Sequence, residues 1–161
     1  MTSASPAASL GFVGRPEAAD LDDALVQRVT DLCDRGDADV EAGRFPEAIE
    51  KYEEALTQVP KPVYAWKVTA WILTALGETY FFDKQYAAAV NAINEAFRCP
   101  GAINNPFLHL RLGQAELELG NAGRAKDELR RAYRRAGEDL FKGEDPKYFD
   151  LIKDTLDDEN E

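Results

Sequence analysis

The sequence predicts an all-α protein, a right-handed α-solenoid of three helix pairs closed by a C-terminal capping helix. Three observations carry that prediction. A pattern of small, apolar and aromatic residues recurs three times along the chain. Within it, apolar residues fall at three- and four-residue spacing, the period of one buried helix face. Glycines and X-Pro pairs stand where such helices must stop and start.

The recurrence can be measured. The first segment carries Leu32, Gly36, Gly43-Arg44-Phe45, Ala48, Tyr52 and Ala55, and closes at Pro60. The second carries Leu73, Leu76, Gly77, Tyr80, Tyr86, Ala89, Ile93 and Ala96, with Pro100 after it. The third carries Leu112, Gly113, Gly120, Ala125, Leu129 and Ala132, with Gly137 after it. Gly36 to Gly77 and Ala48 to Ala89 both span 41 residues, while Gly77 to Gly113 and Ala89 to Ala125 both span 36. Anchors that move together mark rigid units with insertions between them. In each unit a glycine on the first helix and an alanine on the second let the two helices approach closely.

Helices are therefore expected at 20–42, 46–58, 62–82, 86–98, 106–119, 122–136 and 146–156. Gly43 ends the first and Gly120 the fifth, because a left-handed terminal residue is least costly as glycine. Pro46 suits the first turn of the second helix, whose buried stripe is Ala48, Ile49, Tyr52, Ala55 and Leu56. The wide first spacing is most simply absorbed by lengthening the third helix from Pro62. Asn105-Pro106 and Asp145-Pro146 each supply a cap followed by a first-turn proline. The last helix brings Tyr148, Phe149, Leu151, Ile152 and Leu156 to cover the end of the third pair, as a solenoid requires. The expected organisation is a flexible lead-in over 1–17, one helical-repeat domain over 18–157 and an acidic tail over 158–161.

Composition narrows the function. At 161 residues, 45% hydrophobic and 30% charged, the chain is long and apolar enough to bury a core. Its formal net charge of −11 disfavours nucleic acid and anionic membranes as partners and steers a basic protein toward it. Cys33 and Cys99 form neither a disulfide framework nor a metal-ligand spacing. Met1 to Pro16 has no cationic start and no apolar run, so it does not have the make-up of a signal peptide. Val68 to Leu76 is too short to span a bilayer. A cytoplasmic location is expected.

The spacings resemble the tetratricopeptide repeat, which places Leu-Gly and an aromatic on one helix, then Ala, an aromatic and Pro on the next. Gly43 to Pro60 matches best in the first unit, and Leu76-Gly77-Glu78-Thr79-Tyr80 in the second; the likeness runs from Val29 to Gly137. The sequence departs from the family at Asp39 and Glu116, where Tyr is favoured, and at His109, where Trp or Leu is usual. The resemblance implies a non-catalytic module that binds another protein. Cys99-Pro100-Gly101, the run from Asn105 to Gln114 and that from Glu144 to Phe149 also resemble small stand-alone bacterial members found beside secreted toxins.

In the family, the first helix of each pair lines a concave groove that holds an extended peptide or a helix. Carried over residue by residue, the groove takes Thr30, Cys33, Asp37 and Val40 from the first unit. The second contributes Trp71, Thr74, Glu78, Phe81 and Phe82, and the third Phe107, Leu110, Gln114 and Leu117. The expected partner-binding residues are Trp71, Phe81, Phe82, Glu78, Asp37, Phe107 and Gln114. Aromatics anchor interfaces, and the acids would meet Lys or Arg of the partner. Co-chaperones of this family grip a peptide carboxylate with Lys, Asn and Arg, whereas the corresponding places here hold Cys33, Asp37, Thr74 and Glu78. Acids there repel a carboxylate.

No catalytic, cofactor or metal motif is present: no phosphate cradle, no nucleophile elbow and no spaced ligand loop. His109 and both cysteines are expected to be packed side chains. The cluster Arg124, Lys126, Arg130, Arg131, Arg134 and Arg135 is expected on a solvated outer face, with its last members near a helix C-terminus. The expected function is an immunity-type inhibitor of a basic partner, with a general adaptor or chaperone for a peptide segment as the alternative. The expected state is a monomer or a weak homo-oligomer.

Overall fold

A computed structural model describes residues 21–156. The expected lead-in over 1–17 and the tail over 158–161 lie outside the described residues. The described chain is all-helical: α1 (Asp23–Glu41), α2 (Phe45–Gln58), α3 (Lys67–Phe82), α4 (Tyr86–Ala96), α5 (Pro106–Glu118), α6 (Ala122–Ala136) and α7 (Pro146–Leu156). The three tightest associations are α1 with α2, α3 with α4, and α5 with α6. Neighbouring pairs stack through α2 on α3 and α4 on α5, and α7 closes the stack against α6.

The small-residue crossings form as the repeat spacing predicts. A Cβ built on Gly36 would lie 2.8 Å from the Tyr52 ring, one on Gly77 2.7 Å from Ile93, and one on Gly113 2.7 Å from Leu129. Opposite each glycine, Ala48, Ala89 and Ala125 are fully buried. One apolar cluster runs through the first two pairs and onto α5, from Leu25 to Leu112. A second joins Leu110, Leu129 and Ala132 to Phe141, Tyr148 and Ile152, so the cap buries its apolar face on the third pair.

The turns inside the pairs share one design. After α1 the Arg44 N–H donates to the Asp39 carbonyl at 2.8 Å around Gly43, and after α5 the Asn121 N–H donates to the Glu116 carbonyl at 2.8 Å around Gly120. In the middle pair Gln85 N–H donates to Tyr80, but the left-handed residue is Lys84, with φ +59°. A side chain there costs about 1–2 kcal/mol, against about 0.4–1 kcal/mol of unfolded-chain entropy for glycine. Lys84→Gly is therefore expected to raise stability by up to about 1 kcal/mol in urea titrations. The acids that replace the family tyrosine brace these turns: Arg44 Nη2 bonds Asp39 at 2.6 Å and Asn121 Nδ2 bonds Glu116 at 2.7 Å.

One expectation fails. The third helix does not begin at Pro62: Val59 is extended, Val63–Ala65 form a 3-10 turn and α3 starts only at Lys67. Pro60 and Pro62 each remove a backbone donor and push the preceding residue toward extended geometry. The inserted residues instead make a closed loop, with Trp66 Nε1 donating to Pro60 O at 2.9 Å and Thr69 Oγ1 to Val63 O at 2.5 Å. The predicted caps do form. Asn105 Oδ1 accepts from Phe107 N and Asp145 Oδ1 from Lys147 N, each at 3.0 Å.

Candidate protein-binding surface

The groove positions fall on α1, α3 and α5, and the C-terminal cap fills much of the α5 part. Between the 3-10 turn Glu138–Phe141 and α7, Glu144 reaches Arg111, whose Nη1 donates to both its oxygens at 3.1 and 3.0 Å. The same nitrogen donates to Gln114 Oε1 at 2.7 Å, and Arg111 Nη2 donates to Glu78 Oε1 at 3.0 Å. Gln114 Nε2 closes the network on Glu144 at 2.8 Å. The Glu78 side chain is wholly buried and that of Arg111 is 9% exposed. Burial alone would disfavour the Arg111 charge, but the charges and hydrogen bonds of Glu78 and Glu144 outweigh it and push its pKa up.

Three expected contact residues are therefore interior rather than accessible. Glu78 neutralises Arg111, Gln114 is fully buried within the network, and Trp71 is 3% exposed in the main core. The Arg111–Glu144 network encloses Glu78 and Gln114, while Trp71 packs in the main apolar core. Phe82 is exposed, while Phe81, Asp37 and Phe107 are half-buried. Asp37 Oδ1 accepts the Tyr52 hydroxyl at 2.5 Å, and burial together with Asp37 pushes the Tyr52 pKa far up.

An aromatic strip lines the rim. Phe45 lies 6.2 Å from Phe82, Phe82 lies 6.2 Å from Phe81, and Phe81 lies 5.6 Å from Tyr86. The Arg111 guanidinium sits 5.2 Å from the Phe81 ring centre and 5.3 Å from that of Phe82, within cation–π range. Phe45, Arg111 and Glu144 escaped the sequence reading. Phe45 opens α2 instead of lying on the first helix of a pair, Arg111 stands one position past the groove residue Leu110, and Glu144 lies outside the repeats.

The remaining candidates serve packing. His109 is buried on Phe97 at 4.9 Å, with Nδ1 2.6 Å from Glu128 and Nε2 2.8 Å from the Ile103 carbonyl. Both cysteines are buried and outside any disulfide, and burial pushes the Cys99 thiol up, away from the reactive thiolate. Among the described residues no group of three or more His, Cys, Asp or Glu is placed to hold a metal, and no helix is long and apolar enough to cross a membrane. The basic helix α6 directs Arg124, Lys126, Arg131, Arg134 and Arg135 to its exposed side. There Arg131 pairs with Glu128 at 2.5 Å.

Acid is expected to loosen the cap. The hydrogen bond from Lys147, aided by Tyr148 and opposed by burial, holds Glu118 below the usual carboxylate range. Its folded pKa is lower than its unfolded one, so the stabilisation is present above about pH 4.3 and lost as pH falls through the folded value. Urea midpoints should drop on acidification through that range, and Glu118→Gln should flatten the drop.

Residues 29–99 match the family model described as tetratricopeptide repeat. No curated protein matches the sequence. Among solved structures, the chain is similar to the C-terminal tetratricopeptide domain of an FK506-binding protein of Plasmodium falciparum, with TM-score 0.68 and 21% identity over 88% of this chain and 97% of that one. It is also similar to the type III secretion chaperone SycD of Yersinia enterocolitica, in complex with a peptide of the translocator YopD, with TM-score 0.62 and 15% identity over 88% and 98%. A third is the first such domain of Spaghetti (RPAP3), bound to the HSP90 peptide SRMEEVD, with TM-score 0.61 and 19% identity over 84% and 95%. With its paired helices and glycine crossings, the chain has the fold of these tetratricopeptide-repeat structures, and residues 29–99 match the family model.

Proposed function

We propose that the chain is a non-catalytic module that binds a basic protein partner through the α1–α3 side of its concave face. The observation that carries this reading is the aromatic strip Phe45, Phe82 and Phe81 on a tetratricopeptide-like scaffold whose α1 also carries the half-buried acid Asp37. Exposed aromatic area supplies anchoring, and the acid selects Lys or Arg. The net charge of −11 adds long-range attraction for the same partner. An immunity-type inhibitor of a basic toxin, working in the cytoplasm of a bacterium as a monomer, is the use that this charge suits best.

A general adaptor or chaperone is the second reading, favoured by two similar structures that each hold a peptide. A carboxylate-terminated peptide of the kind in the Spaghetti complex is not the expected ligand. Cys33, Asp37 and Thr74 offer it no cation, and Arg111 beside them among the described residues is engaged by Glu78 and Glu144.

The test is affinity capture from native-host lysate at low and moderate salt, run with the wild type and with Phe82→Ala/Asp37→Asn. One folded basic partner, lost at higher salt and weakened at least about tenfold in the variant, is expected from a lost hot spot of about 2 kcal/mol. Many partners sharing an extended segment would favour the adaptor. Undiminished capture by the folded variant would place binding elsewhere. Trp71→Ala is unsuitable for this purpose, because truncating a core tryptophan costs about 3–5 kcal/mol of stability.

A further inference from the structure

We infer that the exposed side of α6, with Ile103 of the α4–α5 connection at its edge, is a second contact surface. Its occupant is an acidic segment of a partner protein that carries one apolar residue. The inference does not rest on the concave face, because α6 is the second helix of its pair and the groove positions lie on α1, α3 and α5.

The sign of the charge on α6 is the first observation. Arg124, Lys126, Arg130, Arg131, Arg134 and Arg135 are set against only Asp127 and Glu128, a net +4 on one helix of a chain of net −11. The helix dipole favours Arg134 and Arg135 in the last turn, but it opposes Arg124 and Lys126 near the N-terminus. Nor does the repeat require cations there. The register that aligns Ala48 with Ala125 puts Glu47, Glu53 and Glu54 of α2 where α6 has Arg124, Arg130 and Arg131. A solvated second helix therefore accepts acids at the same positions.

The arrangement of the arginines is the second. Arg130, Arg131 and Arg134, with Asp127, line a recess of about 200 Å³. Glu128 lies 2.6 Å from His109 Nδ1 and accepts from Arg131 Nη1 at 2.5 Å, while Arg135 Nη1 donates to Asn104 Oδ1 at 3.1 Å. Arg131 is nevertheless 54% exposed, and a guanidinium has five donors, so a further carboxylate can share it. Next to Asn104, Ile103 is 50% exposed, with its carbonyl 2.8 Å from His109 Nε2. Fixed arginines around one exposed apolar side chain complement carboxylates around one apolar residue.

Length favours a protein segment over nucleic acid. Arg124 to Arg135 span about 17 Å of helix, the reach of about five extended residues. Charges more than about 8 Å away are largely screened at physiological salt. A short segment on α6 thus meets the arginines, whereas a long polyanion would run onto the acidic remainder of the chain.

Fluorescence anisotropy with a labelled seven-residue peptide, one leucine between two runs of three glutamates, tests this on the full chain. The wild type is expected to bind it, with affinity falling as salt rises. Arg131→Glu/Arg134→Glu should weaken binding at least about tenfold, since like charges then face each other. Ile103→Ser should weaken it several-fold, and serine in place of the peptide leucine should do the same. Melting curves check the fold, and Arg131→Gln/Arg134→Gln supplies a milder variant if charge reversal disturbs it. Phe82→Ala should leave the peptide's affinity unchanged, which separates this surface from the concave one. No binding by the wild type, or binding indifferent to both arginine pairs, would overturn the inference. Tighter binding of a DNA duplex with the same arginine dependence would overturn the protein occupant. So would a concentration-dependent increase in size that Arg131→Glu/Arg134→Glu removes, which would assign the surface to a second copy.

Discussion

Replacing Arg111 by methionine is expected to destabilise the protein by about 3–5 kcal/mol. The guanidinium holds four oxygens, two of Glu144, one of Gln114 and one of Glu78. Removing it takes from the Glu78 carboxylate, whose side chain is wholly buried, the guanidinium that bonds it at 3.0 Å. The Glu144 side chain, 22% exposed, can hydrate, so Glu78 carries most of the penalty. A second substitution separates charge from packing. Arg111→Met/Glu78→Leu should recover most of the loss, because a buried pair replaced by apolar groups of similar volume is often neutral. Urea unfolding of both variants decides the matter. A small loss in the single variant, or none recovered in the double, would show that the network contributes little. The single variant should also loosen the Glu144 loop, seen as faster amide exchange over 138–148.

The second large effect is expected at Gly113. An alanine Cβ there would lie 2.7 Å and 2.9 Å from side-chain atoms of Leu129 and 3.1 Å from its backbone nitrogen. Leu129 is fully buried, so its side chain cannot swing aside and the α5–α6 crossing itself must open. Overpacking of this kind costs about 1–3 kcal/mol, more than the roughly 1 kcal/mol of helix propensity that alanine gains over glycine. Gly77→Ala should be milder. Its single close contact is Ile93 Cγ1 at 2.7 Å, and the nearest backbone atom, Ala89 O, is at 3.7 Å. Thermal unfolding of the two variants should therefore rank Gly113→Ala below Gly77→Ala. The reverse order would mean that side-chain rather than backbone contact sets the cost.

Much of this molecule could be read from the chain alone. The glycine–alanine register fixes which helices pair, because at Gly36, Gly77 and Gly113 only the absence of a Cβ admits the partner's side chain. The helix ends at Gly43 and Gly120 and the starts at Pro106 and Pro146 follow from local backbone chemistry. Periodicity alone misled at Pro62. There two prolines overrode the apolar continuity from Val63 onward and produced a loop held by Trp66 and Thr69. The site was legible only in part. Repeat register placed Asp37, Trp71, Glu78, Phe81 and Gln114 on the concave side, but register is a property of one helix and says nothing of what folds over it.

What covers that side is decided by contacts between residues distant in sequence. Arg111 meets Glu78 and Glu144, each 33 residues away, and the cap lays Phe141 and Tyr148 against Leu110. Buried charge makes these pairings selective, because a carboxylate taken from water needs a cation or hydrogen-bond donors beside it. The sequence by itself determined the three helix pairs and their glycine–alanine crossings, through local propensity and short-range periodicity. Only the tertiary structure decided that Trp71, Glu78 and Gln114 are interior and that Phe82 and Asp37 remain at the surface, because exposure depends on every element packed around a side chain.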